Sequence, residues 1–131
     1  MNEKVLVVDD DPSILRLATK ILQKKDYDVI TATNGLQALQ KARTEAPDLI
    51  ILDLMLPGLD GFEICDRLRH TRETIKVPIM ILSAKGSNSD KSTASRLGAN
   101  AYLTKPIDSP EFLSYVEALL TGEPLPGSQV Q

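Results

Sequence analysis

The chain has 131 residues, 42% of them apolar and 25% charged, and 15 basic against 18 acidic side chains leave a formal net charge of −3. These values fit one globular domain and exclude a wholly disordered chain, a basic nucleic-acid binder and an apolar run near the roughly 20 residues that span a bilayer. One cysteine, Cys65, allows no internal disulfide. The start Met1-Asn2-Glu3-Lys4 lacks the apolar stretch and cleavage site of a signal peptide. A cytoplasmic, reduced protein is therefore expected, touching neither nucleic acid nor membrane directly.

Lys4-Val5-Leu6-Val7-Val8 reads as a strand covered on both faces, stopping at Asp9-Asp10-Asp11. Asp11 is the expected N-cap of a helix opened by Pro12. Ile14, Leu17, Ala18, Ile21 and Leu22 mark the expected core stripe of that helix. Asp28 to Ala32 reads as a second strand. Asn34-Gly35 is a cap for a second helix with the stripe Leu36, Ala38, Leu39 and Ala42, ended by Pro47.

Leu49-Ile50-Ile51-Leu52 is a third strand, ending at Asp53. A loop from Met55 to Gly61 leads to a third helix on Phe62, Ile64, Cys65 and Leu68. Cys65 is read as core, and Arg67, Arg69, His70 and Arg72 as a solvated face. Val77 to Leu82 reads as a fourth strand, with Ser83 just after it. The polar stretch from Lys85 to Leu97 favours a helix only weakly, anchored by Ala94 and Leu97 with Gly98 as C-cap. Ala101 to Thr104 is a short fifth strand. Phe112, Leu113, Val116, Leu119 and Leu120 form a broad apolar face on a last helix. Residues 122–131, rich in Pro and Gly, read as a flexible tail or the start of a linker after a domain covering 1–121.

Five strands alternating with five helices argue for a parallel sheet with helices on both faces. In such sheets ligands bind at the carboxyl ends of the strands. Asp9 and Asp10 follow the first strand and Asp53 the third, so neighbouring strands would bring three carboxylates together. Two unit charges about 5 Å apart repel by roughly 3 kcal/mol at an effective dielectric near 20. A divalent cation relieves that repulsion, and oxygen ligands without histidine favour Mg²⁺, Mn²⁺ or Ca²⁺ over zinc. Ser83 and Lys105 end the fourth and fifth strands at the same edge. A hydroxyl and an ammonium there would hold a phosphoryl group, towards which an aspartate can act as nucleophile.

These pieces carry a resemblance. Val5 to Asp11, Asp53 to Gly61, Ser83-Ala84 and Gly98 to Pro106 occur in order, each at its expected strand. Over residues 3–121 the chain resembles a response-regulator receiver domain of two-component signal transduction. The resemblance implies a flavodoxin-like doubly wound α/β fold, with five parallel strands in the order 2-1-3-4-5 and five helices. It implies that Asp53 accepts a phosphoryl group from a histidine kinase or phosphotransfer protein. Asp9, Asp10, Asp53 and the backbone carbonyl of Met55 would hold Mg²⁺, with Mn²⁺ as the alternative. Ser83 and Lys105 would contact the phosphoryl group, and the Lys105–Pro106 peptide would be cis. Ser83 and Tyr102 would act as switch residues that reshape the face of the fourth helix, fifth strand and fifth helix. A downstream protein or an output domain outside this chain would read that face.

One departure bears on assembly. Receivers that dimerise through charges across this face carry acids and an arginine where this chain has Asn100, Ala101 and Tyr115. That symmetric dimer is not expected. A haloacid-dehalogenase-type phosphatase would need a second acid two residues after Asp53, where Met55 stands. The remaining alternative is a receiver-fold binding module that works without phosphorylation.

Overall fold

The computed structural model describes residues 2–126. Ten elements alternate: β1 (Lys4–Val8), α1 (Pro12–Gln23), β2 (Asp28–Ala32), α2 (Gly35–Glu45), β3 (Leu49–Leu52), α3 (Gly61–Arg69), β4 (Ile79–Ser83), α4 (Asn88–Arg96), β5 (Ala101–Thr104) and α5 (Ser109–Thr121). The sheet is wholly parallel, in the order β2-β1-β3-β4-β5. This is the doubly wound, flavodoxin-like arrangement expected from the sequence.

The unbroken apolar runs make sense on this topology. β1, β3 and β4 are interior strands, and alternate residues bury into two separate cores. Leu6, Val8, Ile50, Leu52, Ile79 and Ile81 face α2, α3 and α4. Val5, Val7, Leu49, Ile51, Met80 and Leu82 face α1 and α5. Among the described residues, no helix is long and apolar enough to cross a membrane.

Caps fix most helix starts. Asp11, Asn34, Asp60 and Ser87 each accept a backbone N–H of the first turn through a side-chain oxygen. The α2 helix ends at Ala46, whose left-handed φ of 51° stands immediately before Pro47. The cap of α4 is Leu97, and Gly98 occupies the following position with φ +108°.

Four expectations are corrected. Leu17 is 41% exposed, because the stripe of α1 centres on Ala18 and Leu22 with Ile14 and Leu15 at its borders. Leu36 is 72% exposed, and Ala38 and Ala42 carry the inner face of α2. The fourth strand begins at Ile79 and includes Ser83, which pairs with Thr104. Pro78 stays outside it, although its carbonyl accepts Ile50 N–H.

The fourth correction is Arg69, which belongs to no solvated face. Its Nε donates to Gly98 O, Nη1 to Thr74 O and Ile75 O, and Nη2 to Asn100 Oδ1. Asn100 Oδ1 also accepts Ile79 N–H. Arg69 thus ties the end of α3 to the starts of β4 and β5. Burial pulls its guanidinium pKa down, while the neighbouring Cys65 acts the other way. Cys65 itself is fully buried, and burial pushes its thiol up to about 11.

Candidate functional site

Parallel strands end in register, so the last residue of β4 and the residues just past β1, β3 and β5 are brought to one rim. Val8 pairs with Leu52, which sets Asp9 beside Asp53. Asp53 N–H donates to Val8 O, and Asp9 N–H donates to Ala32 O. Both carboxylates are buried, Asp9 at 1% and Asp53 at 4% exposure, whereas Asp10 faces solvent. Asp9, Asp10 and Asp53 can each offer an oxygen within 4.8 Å of the others.

Each buried carboxylate is aimed by the backbone that follows it. Asp11 N–H donates to Asp9 Oδ1 at 2.9 Å, and Met55 N–H donates to Asp53 Oδ1 at 3.1 Å. The loop after Asp53 is closed by Gly61, whose N–H donates to Leu54 O. A Cβ on Gly61 would stand 2.4 Å from Leu54 Cα and 2.6 Å from Asp53 O. Only glycine allows α3 to start so close to the site. The Met55 side chain is 54% exposed, so its backbone rather than its sulfur lies at the rim.

Lys105 completes the cluster from β5. Its ammonium is 2.8 Å from Asp9 Oδ2 and 3.1 Å from Asp53 Oδ2. Lys105 N–H donates to Ser83 O, and the following Lys105–Pro106 peptide is cis, as the receiver resemblance implies. Ser83 is fully buried at the end of β4, with its Oγ accepting Lys85 N–H at 3.3 Å. The structure therefore gathers Asp9, Asp10, Asp53, Ser83 and Lys105 at one sheet rim.

The charges do not balance. Three carboxylates meet one ammonium, leaving two negative charges in excess. Burial, aided by the charge of Asp53, raises the Asp9 pKa despite the opposing pull of Lys105 and the Asp11 N–H. Burial alone would lower the Lys105 pKa, but its two carboxylate partners outweigh that and hold it above the ordinary value. A dication on oxygen ligands would neutralise this donor set, and neither histidine nor thiolate is present to select a softer metal.

Tyr102 stands on β5, half-buried against the α2–α3–α4 side of the core. Its hydroxyl donates to Lys85 O at 2.7 Å, and Lys91 Nζ lies 6.0 Å from the ring centroid. Burial, then Asp90 and Asp53, raise its pKa. The ring thus bridges β5 to the β4–α4 loop that carries Lys85. His70 lies apart, capping α3 at an exposed position near Asp66. A groove of about 900 Å³ between α1 and β2 contains none of the rim residues, so charge and convergence mark the site rather than depth. Sequence reading passed over Gly61 as a close-approach residue. Its signal was local: a glycine directly after the Asp60 cap.

Comparison with known proteins settles the family. The response regulator receiver domain model matches residues 5–117. This chain belongs to that family. As a receiver domain of a two-component response regulator it is a regulatory module, and receiver domains bind Mg²⁺ in an acidic site. It is 49% identical over 120 residues to the alkaline phosphatase synthesis transcriptional regulatory protein PhoP of Bacillus subtilis, covering 92% of this chain and 49% of that protein. The receiver thus spans about half the length of that relative, but 98% of the protein PilH of Pseudomonas aeruginosa, to which it is 37% identical over 91% of its own length. A response regulator from Chloroflexus aurantiacus superimposes with a TM-score of 0.88 at 36% identity, over 92% of this chain and 99% of that one. The receiver domain of the sensor histidine kinase PA1611 of Pseudomonas aeruginosa, solved with magnesium coordinated in its active-site cleft, gives 0.85 at 27% identity, over 92% and 99%.

Proposed function

We propose that residues 1–121 form a phosphorylation switch in which Asp53 is the phosphoacceptor, with residues 122–131 as a tail or the start of a linker. The observation that carries this reading is the meeting of Asp9, Asp10 and Asp53 with a single ammonium, Lys105, at the rim. Asp9, Asp10, Asp53 and the Met55 carbonyl would hold Mg²⁺, or Mn²⁺ in its place, and the bound ion would offset charge on the phosphoryl oxygens. The donor is the phosphohistidine of a histidine kinase or phosphotransfer protein.

An Asp53 carboxylate oxygen attacks phosphorus in line as the P–N bond breaks, and the departing imidazole nitrogen keeps the electron pair. The Met55 backbone N–H holds the other Asp53 oxygen, so the nucleophile is oriented before the donor arrives. Lys105 exchanges a carboxylate partner for a phosphoryl oxygen, and Ser83 Oγ donates to another. Water later cleaves the acyl phosphate, returning the carboxylate and inorganic phosphate. These are steps on its own side chain, so the domain is a regulator and no enzyme acting on a separate substrate.

Recruitment of Ser83 draws on the loop whose Lys85 carbonyl holds the Tyr102 hydroxyl. Ser83 and Tyr102 thereby couple the site to the α4–β5–α5 face, which a downstream protein or an output domain reads.

Incubation with acetyl phosphate, with and without Mg²⁺, followed by intact mass measurement, tests the reading. One Mg²⁺-dependent phosphoryl adduct, absent in Asp53→Asn, is the expected result. No adduct while the protein still binds Mg²⁺ would overturn it in favour of a phosphorylation-independent binding module.

A further inference from the structure

The outer flank of α5 is covered by the chain that follows it. Phe112 and Val116 point at the sheet and are fully buried. At 100° per residue, Ala118 lies about 120° from Phe112 and about 160° from Val116, away from the core. Ala118 is nevertheless only 5% exposed. Beyond Thr121 the chain reverses at Gly122, with φ +78°. Gly122 and Glu123 both donate N–H to Ala118 O. Leu125 then packs, half-buried, against the core cluster that includes Phe112 and Val116, and Tyr115 Oη donates to Pro126 O at 3.2 Å. Residues 122–126 therefore turn back along the flank of α5 that carries Tyr115 and, one turn on, Ala118.

The covered flank can be placed. α1 and α5 share one face of the sheet, and Glu117 raises the pKa of Tyr27 at the end of the α1–β2 turn, after burial, which acts most strongly. Glu117 thus marks the α1 side of α5. Tyr115 and Ala118 lie on the opposite side, towards the free edge of β5.

We propose that residues 122–126 are a docked strap, the resident occupant of the β5-side flank of α5, and that a protein partner using this flank must first lift it. The occupant suits the site: a backbone reversal on glycine, a leucine on an apolar patch and a carbonyl on a phenol, without a charged contact. Its meaning for signalling rests on the proposed role of the α4–β5–α5 face, whereas the cover itself is independent of phosphorylation.

Thiol accessibility tests the cover on the full chain without phosphodonor. Cys65 is fully buried and stays silent. A thiol introduced as Ala118→Cys is expected to react with a maleimide at least about tenfold more slowly than one introduced at the exposed position Ser114→Cys. Adding Leu125→Ser should remove that protection at 118 and leave 114 unchanged, while Leu125→Met should retain it. Should Ala118→Cys perturb the helix, backbone ¹⁵N relaxation of the unaltered chain gives the second reading, with residues 123–126 as rigid as α5. A thiol at 118 as reactive as that at 114, protection that survives Leu125→Ser, or fast-moving 123–126 amides would each overturn the proposal. Failure of Asp53 to accept phosphate would leave all three readouts intact and would remove the signalling role instead.

Discussion

The carboxylate rim and the α4 region lie at the same end of the sheet but are built differently. The rim is fixed from several sides. Asp9 and Asp53 leave paired interior strands, each is held by a backbone N–H, and Lys105 bridges them. α4 is nine residues of polar sequence, with Ala94 as its buried residue and Ser87 as its cap. What anchors it lies at its ends: the Tyr102 hydroxyl on the preceding loop, and Gly98 against Arg69 beyond its last turn. A reaction centre needs preorganised groups, whereas a readout element needs two arrangements close in free energy. The contrast matches what the proposed switch asks of each region.

The largest effect should come from crowding the rim. Gly61→Ala forces a methyl group into the backbone of Leu54 and Asp53, which cannot swing aside as a side-chain end could. We expect a loss of about 3 kcal/mol, read as a lowered urea midpoint, together with slower phosphorylation. Gly86→Ala, in the loop before α4, would meet chiefly the Thr104 Cγ2 methyl, which can move aside. A loss below about 1 kcal/mol there, against the Gly61 value, would sharpen the contrast; equal losses would break it.

Next in size is Arg69→Ala, expected to cost about 2 kcal/mol, since four carbonyl oxygens and the start of β5 lose a charged donor. Hydrogen exchange should then rise most at the end of α4 and the start of β5. Uniform exchange across the sheet would show that Arg69 does not anchor that end. A smaller change of opposite sign is expected at the rim. Because the folded pKa of Asp9 lies above its ordinary 3.8, the folded state binds this proton more tightly than the unfolded state. Its charge therefore disfavours folding above the folded pKa, and the penalty fades as pH falls through that pKa towards 3.8. In chelator, Asp9→Asn should be more stable than the parent at pH 7, and the gain should vanish near pH 4. A gain that persists at low pH would rule out the charge as its cause.

Much of this was legible in the residues because it depends on local pattern. Strands covered on both faces must be apolar throughout, so β1 and β3 announced themselves, and the acids that end them had to meet once β1 and β3 were neighbours. Lys105 and Ser83 followed from strand ends in the same way. Pattern failed where a helix carries more apolar residues than its core face can hold, hence Leu17 and Leu36. It also failed where a charge finds its partners about 30 residues away, as Arg69 does at Gly98 and Asn100. An arginine among other charged residues on a helix end has no local feature that separates buried from solvated. Ser83 was misplaced by one position because a serine after an apolar run resembles a strand end. Only the pairing with Thr104 shows that the ladder continues.

The smallest effect probes the link between rim and readout most directly. Tyr102→Phe deletes one hydrogen bond, from the phenol to Lys85 O, and leaves the ring to pack as before. A net loss of about 1 kcal/mol or less is expected in global stability. The loop of Lys85 also carries the N–H that donates to Ser83 Oγ, so freeing its carbonyl loosens the segment that Ser83 would pull in the proposed switch. Exchange in residues 84–88 should therefore rise while the amides of Asp11 and Met55, which hold the carboxylates, remain protected. Deprotection of those two amides as well would mean that the rim depends on the readout for its own order. The division between a fixed centre and a soft face would then fail in this domain.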